Sequence, residues 1–289
     1  KDIDAVLIGT RPYLHKPVPL AALAAGKHVL TEARLALNLS EAQAMLSAAR
    51  EHPELVTQVV PAAGTLGMDS TICQHIADGY IGEVLSVEHL GGGTFIDPSA
   101  PMMWRDSANF SCLYISSLVI TYEAIMRWVG PATRVAAIGK TFVPTRLDDS
   151  GTAQAMQIPD HLEIIADMSC GATLHLQISN VLGHGTSGTT IYGTEGTLRI
   201  GSSQLLGGKR NETELKPLTL PPAKNRPGPL MPPGWRVEEE FIGAIRGQEA
   251  IRLTSFREGV RYMEFTEAVG RSAKLGQEVG LPLEWASTE

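Results

Sequence analysis

A short stretch near the start of the chain has the pattern of a strand, a helix and a second strand. Ala5 to Ile8 is an apolar run of strand length, and Pro17 to Ala25 is rich in Ala and Leu, as a helix would be. Gly26 follows at the position where glycine commonly ends a helix. Val29 and Leu30 begin the next apolar run. Two strands joined by a helix at this spacing indicate a parallel pair, because parallel strands need a long crossover connection.

The alternation of strands and helices continues for about 80 residues. Ser40 to Gln43 has the form of a capping box and predicts a helix through about Glu51. Val56 to Val60 is the next predicted strand, and Asp69 is predicted to start a helix that stops at Gly79. These elements predict an α/β unit with a partial Rossmann-type parallel sheet.

The pattern changes after residue 82. We predict a strand at Val84 to His89, a long irregular connection, and one buried helix from Leu113 to Trp128. Two helices are predicted last, Val237 to Ile245 and a second from the capping box at Ser255 to Leu275. Between them and the buried helix, strands are predicted at Arg134 to Ile138, His161 to Asp167, Thr173 to Ser179, Thr189 to Tyr192 and Gly196 to Ile200. The proline-rich segment from Lys216 to Gly234 is predicted to be a loop. The expected fold class is α/β plus α+β, with residues 1–82 as a dinucleotide-binding remainder and 83–289 as a large open, mostly antiparallel sheet domain with helices on one face.

Composition excludes several classes of protein. A net charge of -7 argues against a nucleic-acid partner, which would require a basic surface. No apolar run reaches the roughly 18 residues of a membrane span. The three cysteines are isolated in the sequence, and no His, Asp or Glu pair has metal-ligand spacing, so we expect neither disulfides nor a metal site. We expect a cytoplasmic protein with a small-molecule substrate.

Two segments carry recognisable motifs, "AGKHVLTEAR" near the start of the chain and "IYGTEGTLRI" in its second half. They resemble the segment AGKHVxxEKP and the I-x-G-T-x-G-T-L strand pair of the Gfo/Idh/MocA oxidoreductases (glucose-fructose oxidoreductase and inositol dehydrogenase-like). "WRD", "EEEFIGAIRG" and the last predicted helix extend the likeness over most of the chain. The resemblance implies NAD or NADP as cofactor. It also implies a C-terminal sheet that forms a homodimer or homotetramer, and a site between the two domains.

The resemblance does not extend to the segment that binds the dinucleotide phosphates in this family. In the family, a strand, a Gly-rich turn and a helix precede the point where this sequence begins, and they hold the pyrophosphate. Without them we expect no tight cofactor binding, and the residue that separates NAD from NADP is not identified. The segment Gly183 to Gly188 reads G-x-G-x-x-G, but a strand is predicted after it and not the required helix. We interpret it as a loop in which His184 could face the ligand.

Ala33 occupies the position of the family's catalytic lysine, and Arg34 follows it. Alanine cannot exchange a proton with a substrate hydroxyl. Arginine keeps its charge but is a poor base, so Arg34 is predicted to hold substrate. The resemblance implies that four nearby residues contact or frame the cofactor: Thr10, Pro12, His15 and Glu32.

The family's active-site helix carries D-x-G-x-H-x-x-D, whereas residues 107–147 contain neither Asp nor His. Alignment on "RWVG" places Glu123 at the last Asp of the pattern. Tyr122 and Glu123 are therefore the candidate catalytic residues, with Tyr114 as a further polar candidate. The remaining predicted substrate contacts are Trp104, Arg105 and Ser116.

Three functions remain open from the sequence. The first is an NAD(P)-dependent oxidoreductase for a sugar-like or cyclic hydroxyl or keto compound, with the usual catalytic Lys, Asp and His replaced. The second is a non-catalytic ligand-binding or assembly paralogue. The third is a redox-neutral lyase or hydrolase that retains bound NAD.

Overall fold

A computed structural model describes residues 2–111, 116–202, 204–221 and 233–284, without the side chain of Ser116. The first sheet has three parallel strands in the order β1 (Ala5–Ile8), β2 (His28–Thr31) and β3 (Thr57–Val59). Three helices connect or follow them, namely α1 (Pro17–Ala24), α2 (Leu39–Glu51) and α3 (Leu66–Ala77). The expected parallel α/β unit is confirmed.

The second sheet has nine strands. Chain order is β4 (Val84–Gly93), β5 (Ala132–Lys140), β8 (His161–Met168), β9 (Thr173–Gly183), β10 (Gly188–Gly193), β11 (Gly196–Ile200), β12 (Leu205–Lys209), β13 (Lys216–Pro217) and β14 (Val279–Gly280). Their order across the sheet is β13-β12-β11-β10-β4-β9-β8-β5-β14. β4 and β9 run parallel and the other neighbouring strands run antiparallel. β6 (Thr145–Leu147) and β7 (Ala153–Ala155) form a separate hairpin.

Helices cover one face of this sheet. α7 (Phe256–Leu275) packs directly on β5, and α5 (Ser116–Val129) packs beside α7. α4 (Ala108–Ser111) contacts the two 3-10 turns, and α6 (Val237–Ile245) packs on the first sheet at Leu30. Along β9, Leu174, Leu176 and Ile178 are buried on the helix side, while His175 and Gln177 point to the other face. The side chains of Leu85, Ile138 and Ile165 are more than half exposed, so the opposite face is open. The expected fold class is confirmed.

α7 joins the two sheets. Its capping box at Ser255 and Glu258 and its left-handed glycine at Gly276 confirm both predicted ends. The helix contacts α2 and β3 on one side and α5 and β5 on the other. The two parts of the chain therefore pack through a shared helix, and the division at residues 82 and 83 stays a prediction.

Two helix starts differ from the prediction. Asn38 caps α2 by accepting a hydrogen bond from the Glu41 amide at 2.9 Å, so Ser40 lies inside the helix. α3 begins at Leu66, and Asp69 lies in its first turn with a buried side chain. In both cases the helix begins earlier than predicted. Leu39 and Met68 in these first turns are buried, and a prediction from capping residues alone does not take that tertiary burial into account. No helix within the described ranges could span a membrane.

Candidate functional site

The carboxyl ends of the three parallel strands bring together the segments that the sequence selected. Gly9 to His15 follows β1, and Glu32 to Arg34 follows β2. In open α/β sheets, ligands bind beyond this edge because the loops there diverge. Thr10 and Glu32 are exposed at the edge, whereas Pro12 is buried. Thr10 and Glu32 are therefore the two predicted cofactor contacts that a ligand could reach directly.

His15 is fully buried between the two segments. Its Nδ1 lies 2.6 Å from the main-chain oxygen of Arg34, and its Nε2 lies 3.0 Å from the main-chain oxygen of Thr10. Both partners are carbonyl oxygens, so each ring nitrogen can bond to its partner only as a donor. His15 thus holds the loops after β1 and β2 together, while the Thr10 side chain remains exposed.

Arg34 is buried at 5% exposure and points toward the second domain. Its Nη1 donates to the main-chain oxygen of Ser111 at the end of α4. The next amide, Leu35 N–H, donates to the Tyr262 hydroxyl of α7 at 2.7 Å. The chain that follows β2 is therefore anchored to two helices of the second domain. A fixed positive charge lies one residue beyond Ala33, in a region where the sequence predicted a substrate contact.

Two arginines stack on one indole beside this edge. The Cζ atom of Arg11 lies 5.3 Å from the Trp104 ring centroid, and that of Arg105 lies 4.3 Å from it. Arg11 also lies 5.9 Å from the Phe110 ring, which meets Tyr13 edge-on at 5.5 Å. Trp104 is half-buried, while both arginines are exposed. The loop after β1 thus contacts the 3-10 turn at residues 104–106 through cation–π stacking.

A cavity of about 440 Å³ opens next to Arg105. Its polar lining comes from the connections after β4 and β5, the 3-10 turn, β6, the residue before β8, and β9, and includes Asp97, Asp106, Thr141, Arg146, Asp160 and Asn180. Phe95 also lines it, and His184 meets Phe95 edge-on at 5.0 Å. His184 lies in the connection from β9 to β10, which confirms that the G-x-G-x-x-G match is followed by a strand. The size and polarity of this cavity suit a small polar molecule.

Tyr122 lies in the packed interior, and its contacts are those of a structural side chain. It is 1% exposed, its ring stacks on Phe265 at 3.6 Å, and its hydroxyl accepts a hydrogen bond from the Ala132 amide at 2.8 Å. Burial raises the pKa of the Tyr122 phenol above its usual value, so the phenol keeps its proton. These surroundings favour a role in packing α5 on α7 and give no support to proton transfer by Tyr122.

Glu123 is also buried, at 3% exposure. Its carboxylate accepts hydrogen bonds from the Ala62 amide and the Thr254 hydroxyl, both at 2.5 Å. Burial raises the pKa of Glu123, and Arg127, 3.8 Å away, opposes that rise. Glu123 therefore binds the segment after β3 to the start of α7. Its oxygens are occupied by protein groups, which favours a structural role here too.

Sequence reasoning missed the partners of Glu123. Nη1 of Arg127 lies 2.9 Å from Oδ2 of Asp69, with a poor angle for a hydrogen bond, and Asp69 Oδ1 accepts from the Trp128 indole at 2.8 Å. The side chains of Arg127 and Asp69 are only 10% and 11% exposed, and Trp128 is buried. The sequence signal was the unusual presence of charged residues within otherwise apolar helices.

Some predictions lie outside the described residues or concern metals. Tyr114 lies in the undescribed range 112–115, and the side chain of Ser116 is undescribed as well. Across the described ranges, no group of three His, Cys, Asp or Glu residues is arranged to hold a metal ion.

Arg11 was not selected from the sequence, although its position directly after a strand and Thr10 would have been a signal.

Two family models match this chain. The model described as "Oxidoreductase family, NAD-binding Rossmann fold" matches residues 1–59, and the GFO/IDH/MocA C-terminal domain model matches residues 70–199. Levoglucosan dehydrogenase from Pseudarthrobacter phenanthrenivorans is 30% identical over 162 residues, which cover 54% of this chain and 40% of that relative. 1,5-Anhydro-D-fructose reductase from Ensifer adhaerens is 52% identical over 50 residues, 17% of this chain and 15% of the relative. The matched regions are thus less than half of either relative.

Solved structures share the whole fold. An oxidoreductase domain protein from Kribbella flavida superposes with a TM-score of 0.84 at 22% identity, covering 98% of this chain and 81% of that one. Levoglucosan dehydrogenase in complex with NADH and levoglucosan gives 0.83 at 22% identity, covering 97% and 80%. At this identity the superpositions establish the fold alone. Together with the two family models, they show that the chain belongs to the GFO/IDH/MocA oxidoreductase family.

Proposed function

We propose that this family member is an NAD(P)-dependent oxidoreductase for a sugar-like or cyclic compound with a hydroxyl or keto group. One arrangement supports the proposal most strongly. The strand ends that carry Thr10, Glu32 and Arg34 face the turn at Trp104 and Arg105, beside a polar cavity of about 440 Å³. The names of two relatives, levoglucosan dehydrogenase and 1,5-anhydro-D-fructose reductase, fit this substrate class.

The described residues fit the nicotinamide end of a dinucleotide. Thr10 and Glu32 are exposed hydrogen-bonding groups at the carboxyl edge of a parallel sheet, where such ligands bind. His15 and Pro12 would keep their loops in position from below. When bound, the nicotinamide would accept or donate a hydride. NAD and NADP are both compatible with these residues.

The protein's own groups would orient the substrate and stabilise charge. Arg34 cannot serve as a base, because a guanidinium keeps its protons, but its fixed positive charge would favour an oxygen that becomes negative. Polar residues of the cavity would bind substrate hydroxyls, and exposed Phe95 offers an apolar surface for a ring. We propose that His184, which contacts Phe95, holds the reacting hydroxyl and accepts its proton.

The binding of the nicotinamide end can be tested separately from the phosphates. Fluorescence titrations would compare NADH, NADPH and reduced nicotinamide mononucleotide, with T10V/E32Q as the test variant and R50Q, an exposed change at the end of α2, as the control. We expect saturable binding that T10V/E32Q weakens about tenfold or more and R50Q leaves unchanged. Absence of saturable binding of all three ligands at millimolar concentration would refute the cofactor proposal.

A non-catalytic role is the second candidate, and a specific observation favours it. Both residues predicted for acid–base work, Tyr122 and Glu123, have their polar atoms occupied by structural hydrogen bonds. Under this alternative the cleft binds a sugar-like ligand without turnover. Dehydrogenase activity with any polyol, lost in H184A but retained in R50Q, would reject it.

We also propose that the open face of the large sheet forms a homodimer contact. Leu85, Ile138 and Ile165 expose more than half of their surface on that face, which a second copy would cover. Sedimentation at micromolar concentration should give a dimer or larger assembly, and I165R should shift it to monomers; a wild-type monomer would contradict this.

The free thiols of Cys73 and Cys170 fit a reducing compartment such as the cytoplasm.

A further inference from the structure

A second cavity, of about 830 Å³, is lined by residues other than those of the candidate site. One wall is the face of α7 that carries Glu267, Gly270, Arg271 and Lys274. The other walls come from the start of α2, from α4, from the end of β5, from the connection between β7 and β8, and from β8. Small-molecule sites typically have volumes of roughly 300–1,000 Å³, so this cavity is large enough for a ligand.

Much of the cavity lining is apolar. Leu37, Pro159 and Ala273 line the cavity and are half-buried, so their exposed surface faces its interior. Leu162 of β8 and Val269 of α7, which also line it, are almost fully buried members of the hydrophobic core. A ligand with an apolar body would remove that body from water against these side chains, which is the main favourable contribution in sites of this kind.

Exposed polar side chains complete the lining. They are Asn109, Gln157, Arg271 and Lys274. Among the residues that the structure describes, Arg271 alone of these four has a side-chain partner, because its Nη2 donates to the Glu267 carboxylate at 2.8 Å. The amides of Asn109 and Gln157 and the ammonium group of Lys274 therefore have hydrogen-bonding capacity that a ligand in the cavity can use.

The charges around the cavity are unequal in sign. Glu267 and Arg271 form an ion pair, whereas Lys274 has no carboxylate within ion-pair distance in the described ranges. The lining thus carries one positive charge that is not offset, next to apolar surface. An ammonium group forms charge-assisted hydrogen bonds with an anion, and a carboxylate matches its single charge better than a phosphate monoester, which carries close to two.

We propose that this cavity is a second ligand site, which takes a small organic carboxylate. The carboxylate group binds Lys274 and the amides of Asn109 and Gln157, while the apolar body of the ligand packs on Leu37 and Ala273. The site goes beyond the redox proposal, because it requires neither a dinucleotide nor hydride transfer.

Ligand-observed NMR titrations would test the site with hexanoate and benzoate as probes. Hexan-1-ol is the uncharged comparison, and acetate is the comparison without an apolar body. K274Q removes the ammonium group, and A273F fills part of the cavity. R50Q is the matched control, because Arg50, like Lys274, is an exposed cation in the last turn of its helix.

We expect the wild-type protein to bind hexanoate or benzoate saturably at millimolar concentration. K274Q should bind these carboxylates about fivefold more weakly, with a smaller loss at high salt, because one exposed charge contact is removed. A273F should bind none of the probes measurably, and R50Q should bind them as the wild type does. Acetate and hexan-1-ol should bind more weakly than hexanoate.

Further variants separate this site from the redox proposal. T10V/E32Q, which alters the candidate cofactor contacts, should bind the carboxylates as the wild type does, so the two proposals can fail independently. Thermal unfolding of each variant would show whether the fold is retained, and the exposed change K274Q provides the test if A273F does not fold. Equal affinity of wild type and K274Q for both carboxylates, equal affinity for hexanoate and hexan-1-ol, or no saturable binding of either carboxylate would overturn the site.

Discussion

The imidazole of His15 lies 2.6 Å from the main-chain oxygen of Arg34, nineteen residues further along the chain. The same ring reaches the Thr10 carbonyl on its other side. One buried side chain thereby joins the loops that follow β1 and β2. The spacing of those loops, on which Thr10 and Glu32 lie, therefore depends on a fully buried side chain.

Replacing His15 by Phe should lower both stability and cofactor affinity. The change removes the ring that bonds to these buried carbonyls, which costs about 1–3 kcal/mol, and it releases the Thr10 loop from the Arg34 loop. Urea unfolding and titration with reduced nicotinamide mononucleotide would measure the two effects. H28F is the control, because His28 also bonds to a backbone group, the Val56 amide at 2.8 Å, but at the other end of β2. Equal affinities of H15F and H28F for the ligand would contradict this role.

Replacing Tyr122 by Phe should destabilise the protein without altering ligand binding. The Ala132 amide would lose its acceptor in a buried position, at a cost of about 1–3 kcal/mol, while stacking on Phe265 remains. Urea unfolding compared with Y80F, whose edge-on contact with His75 does not use the hydroxyl, would measure the cost. A large fall in turnover with unchanged stability would restore Tyr122 as a catalytic candidate.

Replacing Arg127 by Met should be strongly destabilising. Asp69 and Glu123 would stay buried without their cation, and loss of one member of a buried ion pair costs about 3–5 kcal/mol. The comparison is R271M, which breaks the exposed pair between Arg271 and Glu267 and should cost under about 1 kcal/mol. Similar unfolding midpoints for the two variants in urea would show that the buried network contributes little.

His89 should make stability fall as the solution becomes acidic. Burial lowers the pKa of His89 from 6.5 to about 4, so between these values the unfolded chain binds a proton that the folded chain excludes. Stability is therefore retained above about pH 6.5 and declines as pH falls toward 4, by up to about 3 kcal/mol. H89L should flatten this part of the profile of unfolding free energy against pH, whereas H52Q, at the end of α2, should not. An unchanged slope in H89L would rule out His89 as its source.

Much of the fold follows from local signals in the sequence. The bounds of α7 agree with prediction because its capping box and its terminal glycine are local signals, whereas α6 has no capping side chain and was predicted from its amphipathic spacing. β12 and β14 escaped prediction because Leu205 to Lys209 and Val279 to Gly280 are short, and they become strands only through neighbours that are distant in sequence. The parallel pairing of β4 with β9 is likewise set by tertiary packing.

The candidate site was less predictable than the fold. Alignment places Glu123 at a catalytic position, yet its burial against Ala62 and Thr254 depends on residues 61 and 131 positions away. Thr10 and Glu32 lie exposed at the strand ends, where parallel topology brings the loops together, and their contact with the cofactor stays a prediction. The pairing of Arg11 with Trp104 required the packing of two domains, which no local pattern encodes.

Because α7 packs against both sheets, the cleft depends on nearly the whole length of the chain. The Leu35 amide bonds to Tyr262, and the Val59 amide bonds to the Thr254 carbonyl, so loops from the first sixty residues take their final positions from residues near the other end. During synthesis, the strand ends that carry Thr10 and Glu32 would therefore wait for α7 to leave the ribosome before they acquire their binding geometry. Truncation within α7 would remove the packing that positions residues more than two hundred positions earlier.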